Sequence, residues 1–282
     1  MAGGVRILTD VAADLPQDAI ARYRIGVVPI SVSLNGRTHM DDGMLDRGWF
    51  YGELARVPAA PSTAAPSPQD FSRAYSQLAL DGAEAIVVVT VAAAMSSLHE
   101  HAVLAARKFA GAPVHVVDGM QVSMGLGWLA ISAAELAEAG ASAGEVVEHV
   151  RSLRARTRVV GVVDSIDYLR RSGRVGWIAS AVADLLELKP LICFSQGHAR
   201  RLGRVRTFRR GVEAVVANVR HAASPARVAV IHSGVDPSLL LRLQAELARD
   251  ASGDPPPVIA VGPAFASHVG PGCVGAAVVA AP

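Results

Sequence analysis

The feature that most restricts this chain is a change of hydrophobic period, repeated along its first half. Short apolar runs alternate with stretches whose apolar residues recur every three to four positions. "VRIL" (5–8) closes on Thr9-Asp10, and "DLPQDAIARY" (14–23) reads as a helix with Pro16 in its first turn. "GVVPISVSL" (26–34) is strand-like, with Pro29 suggesting an edge or a bulge. The strand "AIVVVTV" (85–91) precedes a predicted helix over 96–110, and "VHVV" (114–117) precedes one over 123–139. A further helix opens at Ser142, with Glu145 at capping-box spacing. Strands separated by helices of this length imply right-handed crossovers and a largely parallel sheet.

Two stretches depart from that rhythm. "PAAPSTAAPSP" (58–68) is too rich in proline and small residues for regular structure and reads as a loop. It ends in Ser67-Pro68-Gln69-Asp70, which supplies an N-cap hydroxyl, a proline at the first helical position and an acid in the first turn. Beyond Arg156 the runs "RVVGVVD" (158–164), "KPLICFS" (189–195) and "ARRLGRV" (199–205) crowd together. Gln196-Gly197 can turn a hairpin there, and helices are predicted over 176–187, 208–222 and 237–250. The expected architecture is α/β in two domains. Residues 1–157 form a largely parallel sheet with helices on both faces, and residues 158–282 form a mixed α+β domain.

Composition removes several function classes. Apolar residues make up 51% and charged residues 18% of the 282, which argues against disorder; with aromatics at 5%, aliphatic side chains must fill the core. The longest apolar run, Ala85 to Met95, falls short of the ~20 residues of a membrane span. The N-terminus enters a strand that ends in an acid, so no secretory leader is expected and the chain reads as cytoplasmic. Cys193 and Cys273 have no framework or metal-ligand spacing and read as buried, inert thiols. His39, His99, His101 and His115 show no ligand spacing either, and Asp41-Asp42 reads as a surface pair, so no metal is expected. Net charge is +2, but six arginines crowd into Arg200 to Arg210.

In an open parallel sheet, ligands bind beyond the carboxyl ends of the strands. Thr9-Asp10, Ser96-Ser97 and Asp118 fall at such ends, and Thr63 sits in the proline-rich loop. Asp10 and Asp118 either cap turns or serve a ligand; Ser96 is either an ordinary N-cap or part of an anion site at a helix start. "SHVGPGCVG" (267–275) has G-x-G-x-x-G spacing, but too little chain follows for the helix and acid of a dinucleotide site. His268 instead stands in "GPAFASHVGPG", read as a glycine- and proline-rich loop where backbone can approach a ligand. No G-x-x-x-x-G-K-[ST] occurs, so the chain is not expected to hydrolyse ATP. A serine hydrolase using Ser96 and His268 lacks the glycines of a nucleophile elbow. A nucleic-acid binder using Arg200 to Arg210 has only Phe208 as an aromatic platform.

Eight stretches in order resemble the DegV family of bacterial fatty-acid-binding proteins. They are "TDVAADLP" (9–16), "STAAPSPQDF" (62–71), "MSS" (95–97), "VVDGMQVSMGLG" (116–127), "DYLRRSGRVG" (167–176), "LKPLI" (188–192), "RVRTFRR" (204–210) and "GPAFASHVGPG" (262–272). The resemblance implies one long-chain fatty acid as ligand and no other cofactor, with the ligand site at the junction of the two domains, the carboxylate there and the acyl chain in a buried tunnel. It places Thr63, Ser96 and His268 on the carboxylate, with Ser97, Asp10 and Gly270 close by. Arg206 and Arg174 are expected near the headgroup or a partner surface. The implied partner is a separate fatty-acid kinase that phosphorylates the carboxylate from ATP, with phospholipid synthesis downstream; no specific nucleic acid is expected. Val11, Ala64, Ala65 and Leu98 depart from the family's pattern, most of them by losing a hydroxyl. Burying a methylene is worth ~0.8 kcal/mol, so a dry tunnel rewards a long acyl chain. The carboxylate then needs donors, which Thr63, Ser96 and a protonated His268 can supply.

Overall fold

The computed structural model describes residues 4–57, 61–173, 188–221, 225–249 and 254–282. The chain opens with β1 (Val5–Asp10), α1 (Gln17–Tyr23) and β2 (Gly26–Val28), followed by β3 (Ile30–Leu34), β4 (Arg37–Asp41), α2 (Arg47–Arg56) and β5 (Ser62–Ala64). Next come α3 (Pro68–Leu80), β6 (Ala85–Thr90), α4 (Leu98–Lys108), β7 (Val114–Asp118), α5 (Ser123–Glu138) and α6 (Ala143–Ala155). Then follow β8 (Thr157–Val162), α7 (Asp167–Arg171), β9 (Lys189–Ser195), β10 (His198–Val205) and α8 (Phe208–His221). The remaining elements are β11 (Pro225–His232), α9 (Pro237–Ala248), β12 (Val258–Ala260), α10 (Pro263–Val269) and β13 (Val274–Ala280).

The first sheet has the order β2-β1-β6-β7 and is parallel throughout. Ile86 to Val89 of β6 are fully buried, as a central strand covered on both faces requires. The crossover from β1 to β2 runs one way along the sheet and that from β6 to β7 the other. Right-handedness therefore puts α1 and α4 on opposite faces. Helix α1 packs with α5 and α6 follows α5, while α3 and α4 pack on one another. The helix starts at 67–70 and 142–145 form as read: Ser67 with Asp70 and Ser142 with Glu145 each close a capping box.

A mixed six-stranded sheet, β10-β9-β8-β13-β11-β12, is antiparallel except between β11 and β12. Helix α5, buried along nearly its whole length, touches β1 and β6 of the parallel sheet and β8, β11 and β13 of the mixed one. An all-round apolar helix of this kind belongs between layers. Fold class is as expected, α/β with a parallel and a mixed sheet.

Several local expectations fail, each for a physical reason. Residues 26–34 are two strands, not one. Pro29, with no N–H to offer a ladder, marks the point where the chain leaves the parallel sheet and enters a three-stranded antiparallel one, β4-β3-β5. The supposed loop 58–68 contains β5, which pairs Thr63 with Val32. The stretch 262–272 is not a loop: α10 starts with Pro263 at its first position and stops at Gly270, whose φ is +76°. Pro16 is the N-cap of α1 rather than part of its first turn, and the helix expected from 96 starts at Leu98. The helix expected at 176–187 lies outside the described residues.

Candidate functional site

The reversal of crossover direction leaves a crevice between the carboxyl ends of β1 and β6, where an α/β sheet accepts ligands. Ala12 and Val91, just past those ends, wall a cavity there. Asp10 ties the two ends together, accepting from Ala12 N at 3.1 Å and Val91 N at 2.8 Å. From the sides come Ile30 of β3, Thr63 and Ala65, Met95 to Ser97 before α4, Val122, Leu169 of α7, and Ala264, Phe265, His268 and Val269 of α10. The cavity gives about 160 Å³ to the centres of water-sized molecules. One water needs about 10–15 Å³ on that measure, so the space is roughly ten times a water site, whereas well-packed interiors keep few voids above one.

A second cavity of about 70 Å³ shares Met95, Val122, Leu169, Phe265 and Val269 as wall. It continues inward among Val159, Ile192, Phe194 and Ile231 of apolar character. Cys273 faces it, its thiol pushed up to about 12 by burial, as expected for an unreactive cysteine. Cys193 is buried and free as well. Among the described residues, the polar wall of the first cavity consists of Thr63, Ser96, Ser97 and His268. Thr63 Oγ1 and His268 Nε2 stand 3.5 Å apart, although 205 positions separate them in sequence. Ser96 Oγ accepts from Leu98 N at 3.2 Å, which leaves its proton to be donated elsewhere. Ser97 is exposed, so this polar end is the one that meets solvent.

Four of the residues singled out from sequence thus line one cavity: Thr63, Ser96, Ser97 and His268. Three others do not. Asp10 is fully buried and spends its oxygens on backbone, the turn-capping reading. Gly270 ends α10 against the Tyr168 ring, and Arg206 is exposed beyond β10. Arg174 lies outside the described residues. Of the four departures, Val11 and Leu98 are buried away from the cavity, Ala64 is exposed, and Ala65 alone joins the wall. Asp118 accepts from Met120 N, a turn, and from Ala93 N beyond the end of β6, so it too is engaged by backbone. The hydrogen bonds pair His268 with Thr63 and Ser96 with the Leu98 amide, which is not a nucleophile–base arrangement. Arginines 200, 201, 204, 206, 209 and 210 are all exposed, on or beside the edge strand β10.

Asp41 corrects its expectation outright: it is buried, not a surface residue. Its oxygens accept from Gly43 N and Ala264 N, both at 3.2 Å, and burial pushes its carboxyl up. Asp14, inside "TDVAADLP" yet passed over from sequence, accepts from Gly262 N at 2.7 Å and from the Ser123 hydroxyl at 2.5 Å. Its backbone is left-handed (φ +52°), a conformation the sequence does not announce at an aspartate.

Burial pushes the Asp10 carboxyl up to about 7, against the pull of its two amide donors. A carboxyl raised on folding contributes stability that is full below its ordinary 3.8 and is lost as pH rises through about 7. Urea unfolding of the protein and of Asp10→Asn at about pH 5 and about pH 8 is expected to show the balance moving toward the variant at the higher pH. A difference independent of pH would contradict this.

Comparisons with known proteins agree with this geometry. Residues 4–281 match the model of a family described as "uncharacterised protein, DegV family". A DegV domain-containing protein of Streptomyces coelicolor is 33% identical, over 99% of this chain and 99% of its own length. A solved structure described as fatty acid binding of a DegV family protein from Thermus thermophilus has a TM-score of 0.89 at 31% identity, covering 99% of this chain and 100% of that one. A Thermotoga maritima protein, whose structure is described as revealing fatty acid binding function, has a TM-score of 0.88 at 25% identity with the same coverage.

Proposed function

The chain belongs to the DegV family, and from that premise we propose that it binds one long-chain fatty acid and presents its carboxylate to a separate ATP-dependent kinase in the cytoplasm, which forms the acyl phosphate. The observation that carries this reading is the division of the cavity wall among the described residues: apolar except at one solvent-facing end, where Thr63, Ser96, Ser97 and His268 gather. An acyl chain extends inward past Met95, Val122 and Phe265 toward the second cavity, gaining ~0.8 kcal/mol per buried methylene. The carboxylate stays at the polar end, where donors offset its desolvation and a second protein can reach it. Among the described residues no helix is long and apolar enough to cross a membrane.

In this reading the chain holds and orients, and phosphoryl transfer belongs to the partner. The exposed arginines around Arg206 suit a partner that carries bound ATP, because opposite charge speeds encounter. Mass spectrometry of lipid extracted from the purified protein is expected to give one long-chain fatty acid per chain. Fatty acid, ATP and the chain alone are expected to yield no acyl phosphate, and addition of a fatty-acid kinase is expected to yield it. An empty protein refutes binding; ATP turnover by the chain alone refutes the division of labour.

Ser96→Ala removes one hydroxyl donor without touching the apolar wall. A hydrogen bond to a charged group contributes about 1.5–3 kcal/mol, so fatty-acid affinity is expected to fall by roughly tenfold or more. Displacement of a fluorescent fatty acid measures it, and an unchanged affinity removes Ser96 from the headgroup site.

A further inference from the structure

Thr63 and His268 must be brought together from distant parts of the chain, and neither holds the other firmly across 3.5 Å. Their separation is set by what fixes β5 relative to α10. Two buried carboxylates span that gap. Asp41 ends β4, in the same three-stranded sheet whose β5 carries Thr63, and its Oδ2 receives the Ala264 N–H in the first turn of α10. Asp14 follows β1 two residues after the cavity residue Ala12, and its Oδ1 receives the Gly262 N–H at the N-cap of α10. Its Oδ2 is held in turn by the Ser123 hydroxyl at the start of α5.

The space around this joint is closed. A Cβ on Gly262 would lie 3.0 Å from Asp14, 3.3 Å from Asp41 and 3.7 Å from Arg47. Burial pushes both carboxyls up, that of Asp14 to about 6, against the pull of the Arg47 guanidinium beside them, and from the same helix α2 the Tyr51 hydroxyl donates to Val261 O. Burying two carboxylates is costly, and an apolar joint would hold a helix end more cheaply. What they add is direction, since each grips a particular amide of the element that bears His268.

We propose that Asp14 and Asp41 are positioning residues for ligand binding, fixing the start of α10 to the strands around the cavity so that His268 faces Thr63 across the carboxylate. This rests on the fatty-acid reading of the site. It separates two contributions to affinity. The apolar wall serves any long chain, whereas the aligned Thr63–His268 pair serves only a carboxylate.

The test compares oleic acid with oleyl alcohol, which keeps the chain and lacks the charge. Asp14→Ala and Asp41→Ala are each expected to weaken oleic acid by roughly tenfold or more and oleyl alcohol by less than about threefold. Asp14→Asn, able to accept from Gly262 N–H and donate to Ser123, is expected to restore the wild-type ratio. Equal losses on both ligands, or none, overturn the proposal. If the alanine variants do not fold, Asp41→Asn, which keeps one of two acceptors, is expected to lower the acid-to-alcohol ratio several-fold, and an unchanged ratio overturns it as well. Failure of the wild-type protein to bind oleic acid at all refutes the fatty-acid reading itself, an outcome distinct from the others.

Discussion

Replacing His268 with leucine is expected to give a folded protein that emerges from purification without fatty acid. Leucine keeps an apolar body of similar size in the last turn of α10, so the neighbouring Phe265 and Val269 retain their packing. What disappears is the one titratable side chain in the cavity wall among the described residues. A carboxylate pushed against that wall then has hydroxyl donors only. Removing one partner of a desolvated charge costs about 3–5 kcal/mol, which corresponds to an affinity loss of roughly a hundredfold or more. Lipid extraction with mass spectrometry, followed by titration of the emptied protein, measures the loss. Methyl oleate is the control: it has no charge to compensate, so the two proteins should bind it alike. Full retention of fatty acid by His268→Leu would remove the histidine from the headgroup site.

The second large effect concerns the fold. Gly275 of β13 lies opposite Gly161 of β8, and a Cβ on Gly275 would meet Val160 O at 2.3 Å and Gly161 Cα at 2.7 Å. Both obstacles are backbone of an interior strand pair, so neither can swing aside as a side chain would. Gly275→Ala must spread β8 from β13 in the middle of the six-stranded sheet. Overpacking costs about 1–3 kcal/mol where side chains can adjust, and this site is expected at or above the top of that range. For a chain of this size that corresponds to a melting temperature lowered by roughly 6–12 °C. Gly161→Ala is the internal comparison, because its nearest obstacles lie at 3.2 Å and 3.4 Å. Its destabilisation should be clearly smaller. Equal stability of Gly275→Ala and the parent protein would show that the strand pair is looser than described.

Much of the parallel sheet was legible because period and punctuation agree there: β6, β7, α3 and α6 carry both an unambiguous pattern and a start signal. The mixed sheet was less so. β13, "VGAAVVA", is buried on both faces and built of small residues, so it has no alternation to betray it. Helix α10 did carry its signals, proline at the start and glycine after the end, but seven residues rich in both invite a loop reading. In the cavity wall, Thr63, Ser96, Ser97 and His268 stand out as polar side chains near strand ends and glycines, but what joins them into one group at the level of sequence is the resemblance to the DegV family. Ile30, Leu169 and Phe265 do not stand out, since a cavity wall and a packed core use the same residue types. Asp14 and Asp41 were missed for another reason. Their partners, Gly262 and Ala264, lie 248 and 223 positions away, and no local pattern encodes a bond of that span.

The distance in sequence between Thr63 and His268 has a consequence for biosynthesis. On the ribosome all four strands of the parallel sheet have been translated long before α10. Until that helix docks, the crevice has its hydroxyls, Thr63, Ser96 and Ser97, but lacks the ring that faces Thr63. Any ligand that needs both Thr63 and His268 can therefore be gripped only once nearly the whole chain has been made.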